Sequence, residues 1–271
     1  MHADARLTTL TRVGFAARGL LYIVIAFLVI GTGRTEDQQG ALSYLGQGGG
    51  KWLLVLMALG LAAYGIWRLA DAAFNIERHP DDKKGLAERL AAVASGIAHL
   101  LLAWQAVNLV RGTAAASGGS SGGSGGAQES AQKALELPGG ELLLSIAGLV
   151  LIGVGLFQFV KAAKESFCDK LEPSVAQQPW VKWAGRLGYS ARGLVFAITG
   201  YFLLRAGFSE QASEAGGVEQ ALSWLSSPCD VLVAIGLLMF GLFSLVEARF
   251  RIIQDVPVEG AARQARSKLP I

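Results

Sequence analysis

The chain alternates between long apolar runs and shorter polar segments. Six apolar runs stand out, at about 12–32, 52–72, 89–111, 141–163, 186–206 and 229–250. Each has roughly the 20 residues that a helix needs to cross a hydrocarbon core about 30 Å thick. The pattern therefore predicts an all-α membrane protein with six transmembrane helices.

Composition and charge agree with this prediction and add an orientation. Charged residues make up 17% of the chain and the mean hydropathy is +0.42, whereas a soluble domain carries about 25% charged residues. With the N-terminus in the cytoplasm, 19 Lys and Arg residues fall on the inner side and 5 on the outer side. Such a bias predicts that both termini are cytoplasmic. The basic residues are spread over several segments, so nucleic acid is not an expected partner.

Two short signatures show that the chain is built from three repeats. The first opens three of the runs, as R-V-G-F-A-A-R-G at 12–19, R-L-A-A-V-A-S-G at 89–96 and R-L-G-Y-S-A-R-G at 186–193. The second ends the returning runs, as G-I-W-R-L-A-D-A at 65–72, G-L-F-Q-F-V-K-A at 155–162 and G-L-F-S-L-V-E-A at 241–248. Each repeat is therefore predicted to be a two-helix hairpin, and all three hairpins point the same way. We expect a pseudo-threefold bundle, with open or linear packing as the alternative.

The signatures divide the chain into three hairpins and two tails. We assign a cytoplasmic tail to 1–11, the repeats to 12–80, 86–165 and 180–251, and a second cytoplasmic tail to 252–271. Short A-L-x-x-L pieces in the outer loops are expected to lie on the outer interface or to fold down over the bundle. The second outer loop also contains a Gly/Ser run at 117–126, which predicts flexible coil rather than a site.

The paired signatures, the outer A-L-x-x-L piece and the threefold count resemble the bacterial membrane family called domain of unknown function 1206. Members of that family are described as three copies of a two-helix unit. The resemblance covers nearly the whole chain, from about residue 12 to 251, and the second repeat departs from it most. It implies a location in the bacterial cytoplasmic (inner) membrane and brings no biochemical activity with it.

Charged residues inside the predicted helices are candidates for intramembrane contacts. Arg18 and Arg192 lie about six residues inside their runs, a depth that is costly unless the arginine snorkels or finds a partner. Asp71 and Glu247 occupy the seventh position of the second signature at the same end of the membrane. We expect these groups to anchor helices through Arg–carboxylate contacts; a polar ring at the mouth of a permeation path is the alternative.

The second repeat has neither group, with Ser95 in the arginine position and Lys161 in the acidic position. A matched loss suggests that the two positions contact each other, because a lone buried carboxylate is expensive. Another alignment of this repeat would place Phe159 at the acidic position, and the acid is absent in both. Whether the pairing is within a hairpin or between neighbouring hairpins stays open.

One histidine and six glycines complete the candidate residues. His99 lies one turn beyond Ser95, where the other repeats have Tyr22 and Phe196. Because its counterparts are aromatic, His99 is expected to occupy the space that a ring occupies in the other repeats. Proton relay is the alternative. The signatures also carry glycines that we expect to pack helices closely. These are Gly19, Gly65, Gly96, Gly155, Gly193 and Gly241.

No catalytic motif, metal-ligand cluster or cofactor-binding sequence stands out, so we expect neither an enzyme nor a cofactor. The favoured interpretation is a structural or accessory bundle that associates with other membrane components, namely lipid and another membrane protein complex. The alternative is a small-solute or ion conduit along the pseudo-threefold axis. The polar residues that would line it are Gln105, Asn108, Gln158, Thr199 and Ser244.

Overall fold

The computed structural model describes residues 2–48, 51–77, 79–112 and 124–252. Over these ranges the chain is nearly all helical, and its one β-type pairing is a single bridge between Leu171 and Arg251. In chain order the helices are α1 (His2–Phe27), α2 (Gln38–Gly48), α3 (Lys51–Phe74), α4 (Lys83–Arg111), α5 (Ser124–Leu135), α6 (Gly140–Lys164), α7 (Pro173–Ala176), α8 (Pro179–Ser209), α9 (Val218–Trp224) and α10 (Cys229–Phe250). Helices α1, α3, α4, α6, α8 and α10 are long and apolar enough to cross a membrane. The predicted all-α fold with six transmembrane helices is confirmed.

Some boundaries differ from those read off the sequence. Helix α1 begins at His2 and therefore includes most of the segment assigned to the first tail, and it continues into a π-helical turn at Leu28–Thr32. Helix α8 begins at Pro179, where proline is favoured at the first helical position. Residues 124–126 of the Gly/Ser run form the first turn of α5 rather than coil. The rest of that run and the tail beyond Ile252 lie outside the described residues.

The long helices pack in an order that links consecutive repeats. Helix α3 packs on α4, α6 on α8, and α10 on α1, so each returning helix packs on the first helix of the next repeat. Within hairpins, α1 packs on α3 and α8 packs on α10, but α4 and α6 form no packed interface. This order is compatible with the expected pseudo-threefold arrangement, except that the second hairpin is open. We call the end of the bundle that carries the signatures the signature end.

The short outer helices fold down over the bundle instead of lying away from it. Leu42 of α2 and Leu222 of α9 are fully buried and belong to the main apolar core. In α5 the buried residue is Ala131, which packs in a separate small cluster with Leu144 and Ala206. The outer loops therefore close the end of the bundle opposite the signature end around the first and third repeats.

Candidate functional site

A buried arginine joins the first and third repeats at the signature end. Arg18 of α1 is 5% exposed, and its guanidinium donates to Glu247 at 2.5 Å, to the Tyr64 hydroxyl at 2.6 Å and to Ser244 Oγ at 3.1 Å. Its Cζ atom also lies 4.5 Å from the ring centroid of Phe15. Glu247 is 2% exposed. Helices α1, α3 and α10 thus surround one fully satisfied buried ion pair, which offers no free charge for chemistry.

A second basic residue extends this pair to the surface of the bundle. Arg251, one residue beyond α10, donates to both Glu247 and Glu77, and Lys170 lies 3.4 Å from Glu77. Burial alone would raise the pKa of Glu77, but the charges of Arg251 and Lys170 outweigh it and hold that pKa far below its usual range. The same carboxylates raise the pKa of Arg251 above its ordinary value in spite of burial. Glu77 and Arg251 therefore stay ionised, and their contacts fix the end of α10.

Asp71 does not contact Arg18, which corrects the idea that both acidic positions serve the signature arginines. Its fully buried carboxylate lies 3.0 Å from His79 Nε2 and 3.5 Å from Arg68, and it accepts from the backbone of Glu77. His79 Nδ1 is 2.7 Å from Glu88. The His79 imidazole therefore has a carboxylate at each of its two nitrogens.

The same cluster is the group of residues in the described chain that comes nearest to a metal site. One ligand atom each from Asp71, Glu77 and His79 lies within 4.8 Å of the others. Their carboxylates, however, already face Arg68, Arg251 and Lys170. A divalent cation would have to displace or tolerate these cations, so we assign the cluster as an ion-pair network.

Among the described residues, Arg192 has no carboxylate partner in an ion pair, and Lys161, which stands in the acidic position, contacts an aromatic ring. Arg192 donates to the Tyr22 hydroxyl at 3.1 Å, and its Cζ is 4.7 Å from the Phe196 ring centroid. Lys161 Nζ lies 4.7 Å from the Tyr189 ring centroid. The arginine and acidic positions do meet, in the Arg18–Glu247 pair, and they meet between repeats rather than within one. The loss of both positions in the second repeat therefore falls on two different interfaces.

His99 and Ser95 make a local contact. His99 Nδ1 donates to the Ser95 carbonyl oxygen at 2.7 Å, and the imidazole packs against Tyr64 with ring centroids 4.5 Å apart. The Ser95 contact is thus made by its backbone. Both observations are consistent with a histidine that fills space between α3 and α4.

The six signature glycines lie opposite one another where repeats meet. A β-carbon placed on Gly19 would lie 2.8 Å from the Gly241 carbonyl oxygen, and one on Gly65 would lie 2.9 Å from that of Gly96. The third pair has the same geometry, since a β-carbon on Gly155 would lie 2.6 Å from the Gly193 oxygen. Each pair lets two backbones approach closely. The three contacts between repeats therefore have the same glycine-to-glycine packing.

A different set of small residues closes the first and third hairpins. A β-carbon on Gly60 would lie 2.4 Å from Ala17 Cβ, and one on Gly236 would lie 2.4 Å from Ala191 Cβ. The second repeat has Val150 at the position of these glycines. A branched side chain at this position does not fit the close approach that glycine permits in the closed hairpins, and the second outer loop is longer than the other two.

The open hairpin exposes positions that are buried in the other two. Leu101 is 60% exposed, whereas its counterparts Val24 and Ile198 are each 8% exposed. Phe157 is 47% exposed, and its counterparts in the first and third repeats are nearly fully buried. We call the residues that line this gap the open face. They are Ala91, Ala94, Ala98 and Leu101 of α4, and Val150, Val154 and Phe157 of α6.

The polar residues proposed to line an axial path are distributed unevenly. Ser244 and Gln158 are buried, and Ser244 donates to the Phe240 carbonyl oxygen while it accepts from Arg18. Gln105 Oε1 and Thr199 Oγ1 are buried without a hydrogen-bond partner among the described residues. Asn108, one turn from Gln105, is half-buried and has a partner.

Several residues of these clusters were missed by sequence reasoning. Glu77, His79 and Arg251 lie just outside the apolar runs, where charged residues usually face solvent. One signal was present, since Arg251 follows Glu247 by four residues and such pairs meet on one helix face. His79 carried no comparable signal, because its partners lie on two different helices.

Comparisons with known proteins agree with the three-repeat organisation. A curated relative from Bacillus subtilis (strain 168), "Uncharacterized protein YxxB", is 29% identical over 253 residues, which is 89% of this chain and 90% of the relative. No solved structure matches the chain. A family profile described as "Domain of Unknown Function (DUF1206)" matches residues 13–75, 90–165 and 187–251, one segment for each repeat. The chain therefore belongs to the DUF1206 family.

Proposed function

We propose that the protein is a non-catalytic accessory component of the bacterial inner membrane that associates with another membrane component through its second hairpin. The observation that carries this proposal is the open face between α4 and α6. Its residues are equivalent to positions that are buried between the two helices of the first and third hairpins. In the second hairpin the same positions are exposed, because α4 and α6 do not pack on each other. An exposed surface of that kind is suited to binding.

The buried charges support an accessory role in a second way. Arg18 is held by one carboxylate, two hydroxyl groups and the faces of aromatic rings, and it joins α1 to α10. An arginine with this many fixed partners stabilises the bundle. A conduit, in contrast, needs charges that exchange their partners with a passing solute.

The proposal is tested by extraction in native-lipid discs followed by identification of what stays bound. Ala94→Trp places a large ring in the open face, and Leu59→Trp places the same ring on an exposed position of α3. We expect a component at constant stoichiometry that is lost in Ala94→Trp and kept in Leu59→Trp. Equal recovery of every component with both variants would overturn the proposal.

A second candidate is the conduit, which is favoured by the Gln105 and Thr199 oxygens, since these are buried without a hydrogen-bond partner among the described residues. Buried polar atoms inside a membrane are expensive and often mark a path for a polar solute. Proteoliposome swelling with a panel of neutral and charged small solutes tests this candidate. Flux that is lost in Thr199→Val, while the protein inserts in normal amounts, would support it; no flux above empty liposomes would exclude it for that panel.

A further inference from the structure

The open face consists of two halves, and each half is equivalent to a surface that is packed in the other repeats. Its α4 half corresponds to the side of α1 that packs on α3 and to the side of α8 that packs on α10. Its α6 half corresponds to the opposing sides of α3 and α10. The first and third repeats therefore show that the surface which packs on an α4 half is an α6 half.

The two halves are complementary in size, and neither carries a charged side chain. The α4 half has small side chains at Ala91, Ala94 and Ala98, whereas the α6 half has larger ones at Val150 and Phe157. Their spacings of three, four and seven residues place each set along one side of its helix. Because small side chains let a helix with larger ones approach closely, the halves can pack on each other at a wider spacing than in the closed hairpins.

Within one chain the two halves are fixed to different neighbours. Helix α4 is packed on α3, and α6 is packed on α8. The outer helices follow the same division, because α2 packs on α4 whereas α5 packs on α6 and α8, with Ala131 against Leu144 and Ala206. Among the described residues, no packed interface joins α5 to α4. Each half is thus held in place by its own neighbours and left open on the side that faces the gap.

A two-fold axis along the membrane normal would bring the gaps of two copies together. Rotation about this axis keeps every helix at its own depth and direction in the membrane. Helix α4 of one copy then meets α6 of the other antiparallel and at matching depth, as α1 meets α3 within the first repeat. The contact is isologous, so that both copies bury both halves of the open face at once.

We propose that the open face binds the open face of a second copy of this chain, with α4 of each copy packed on α6 of the other. The proposal rests on the proposed function and names the membrane component that the second hairpin binds. Association of two copies depends on their concentration in the bilayer. In dilute bilayers the chain is therefore a single copy whose open face, including Leu101, lies against lipid.

Disulfide crosslinking between separate copies in liposomes tests which helices meet. Two populations of the full chain, each with its own tag and with both native cysteines replaced by serine, carry one cysteine as Ala94→Cys or Val150→Cys. In the first repeat a β-carbon on Gly60, the counterpart of Val150, would lie 2.4 Å from the β-carbon of Ala17, the counterpart of Ala94. A disulfide needs β-carbons about 3.5–4.5 Å apart, so we expect a crosslink that joins the two tags.

A matched control separates this contact from random collision. Leu59→Cys lies on an exposed side of α3 and should give far less crosslink with Val150→Cys than Ala94→Cys gives. Because each copy carries one cysteine, no bond within a chain can contribute. An equal yield from Leu59→Cys and Ala94→Cys would overturn the proposal, as would the absence of any crosslink between the two tags.

Energy transfer between donor-tagged and acceptor-tagged copies measures the strength of the association. We expect transfer to fall as lipid is added, and Ala94→Trp to weaken association about tenfold or more, because an indole does not fit where alanine packs. Leu59→Trp should associate as the unmodified chain does. Equal transfer in the two tryptophan variants would place the contact elsewhere and overturn the proposal. If Ala94→Trp does not fold, the cysteine variants, which change the side-chain volume little, still decide.

The same experiments distinguish this proposal from the proposed function. A chain that stays monomeric at every protein-to-lipid ratio, while a different component in native-lipid discs is lost in Ala94→Trp, would overturn the second copy and leave the accessory role standing. If the chain stays monomeric and Ala94→Trp loses no component, both proposals fail.

Discussion

At the scale of single residues, Arg18 shows what a guanidinium requires inside an apolar bundle. Its guanidinium nitrogens make four hydrogen bonds, to a carboxylate, a tyrosine and a serine, and its faces lie against aromatic rings. Sequence reasoning named Arg18 and Glu247 as charges within the apolar helices, and the structure pairs these two residues. It did not find Tyr64 or Arg251, because aromatic and terminal basic residues are common at such places and carry no specific signal.

Removing the shared carboxylate should destabilise the protein strongly. Glu247→Gln leaves Arg18 and Arg251 without an anion between them, so we expect the free energy of unfolding to fall by about 3–5 kcal/mol. Denaturant unfolding in detergent measures it. Glu129→Gln breaks an exposed pair with Lys133 and is the matched control, for which no measurable loss is expected. Equal effects of the two variants would contradict this assignment.

Glu77 should make the protein sensitive to acid. Its pKa in the folded protein lies below its unfolded value, so its contribution to stability is present above about pH 4.5 and is lost as the pH falls toward the folded pKa. In Glu77→Gln we expect a lower melting temperature at pH 7 and a smaller decline below pH 4.5. An unchanged acid decline in this variant would show that another group is responsible.

At the scale of elements, the sequence predicts the helices and the glycines that pack them, but it does not predict which helices pack on one another. Span length follows from membrane thickness, and glycine in apolar helices marks close packing, so the six runs and six glycines could be identified. Repeat alignment shows which residues are equivalent but not which repeats touch. The signal for the open hairpin was present in Val150, where the other repeats have glycine, and in the longer loop.

Two glycines of α6 provide a direct test of this packing. A β-carbon on Gly155 would lie 2.6 Å from the Gly193 oxygen, whereas one on Gly153 would meet nothing within 4 Å. Gly155→Val should therefore lower the free energy of unfolding by about 1–3 kcal/mol. Gly153→Val, two residues away, should not destabilise. A comparable loss in both variants would indicate that helix propensity, rather than packing on α8, decides the outcome.

At the scale of the whole molecule, three copies of one hairpin have become unequal. The first and third are closed and joined by the Arg18–Glu247 pair, while the second is open. The second repeat also differs from the other two in sequence, with Val150 in place of a glycine and a longer outer loop. The repeat that departs most from the family pattern is thus the one that carries the proposed binding surface.

The predicted orientation is also a property of the whole chain. Because basic residues are concentrated at the signature end, we expect reporter tags inserted near Gln38 and Ala215 to lie outside the cytoplasm and a C-terminal tag to lie inside it. Protease protection in spheroplasts and inverted vesicles measures this. A cytoplasmic reporter at either outer position would reverse the predicted topology.

The central claim, that the second hairpin is open, is tested most directly by the oxygen accessibility of spin labels in lipid bilayers. Labels are attached to Leu101→Cys, Val24→Cys and Ile198→Cys in a background with Cys168 and Cys229 replaced by serine. These three positions are equivalent in the repeats but differ in exposure. We predict high oxygen collision rates at position 101 and low rates at 24 and 198. Equally low rates at all three positions would show a closed second hairpin and contradict the account.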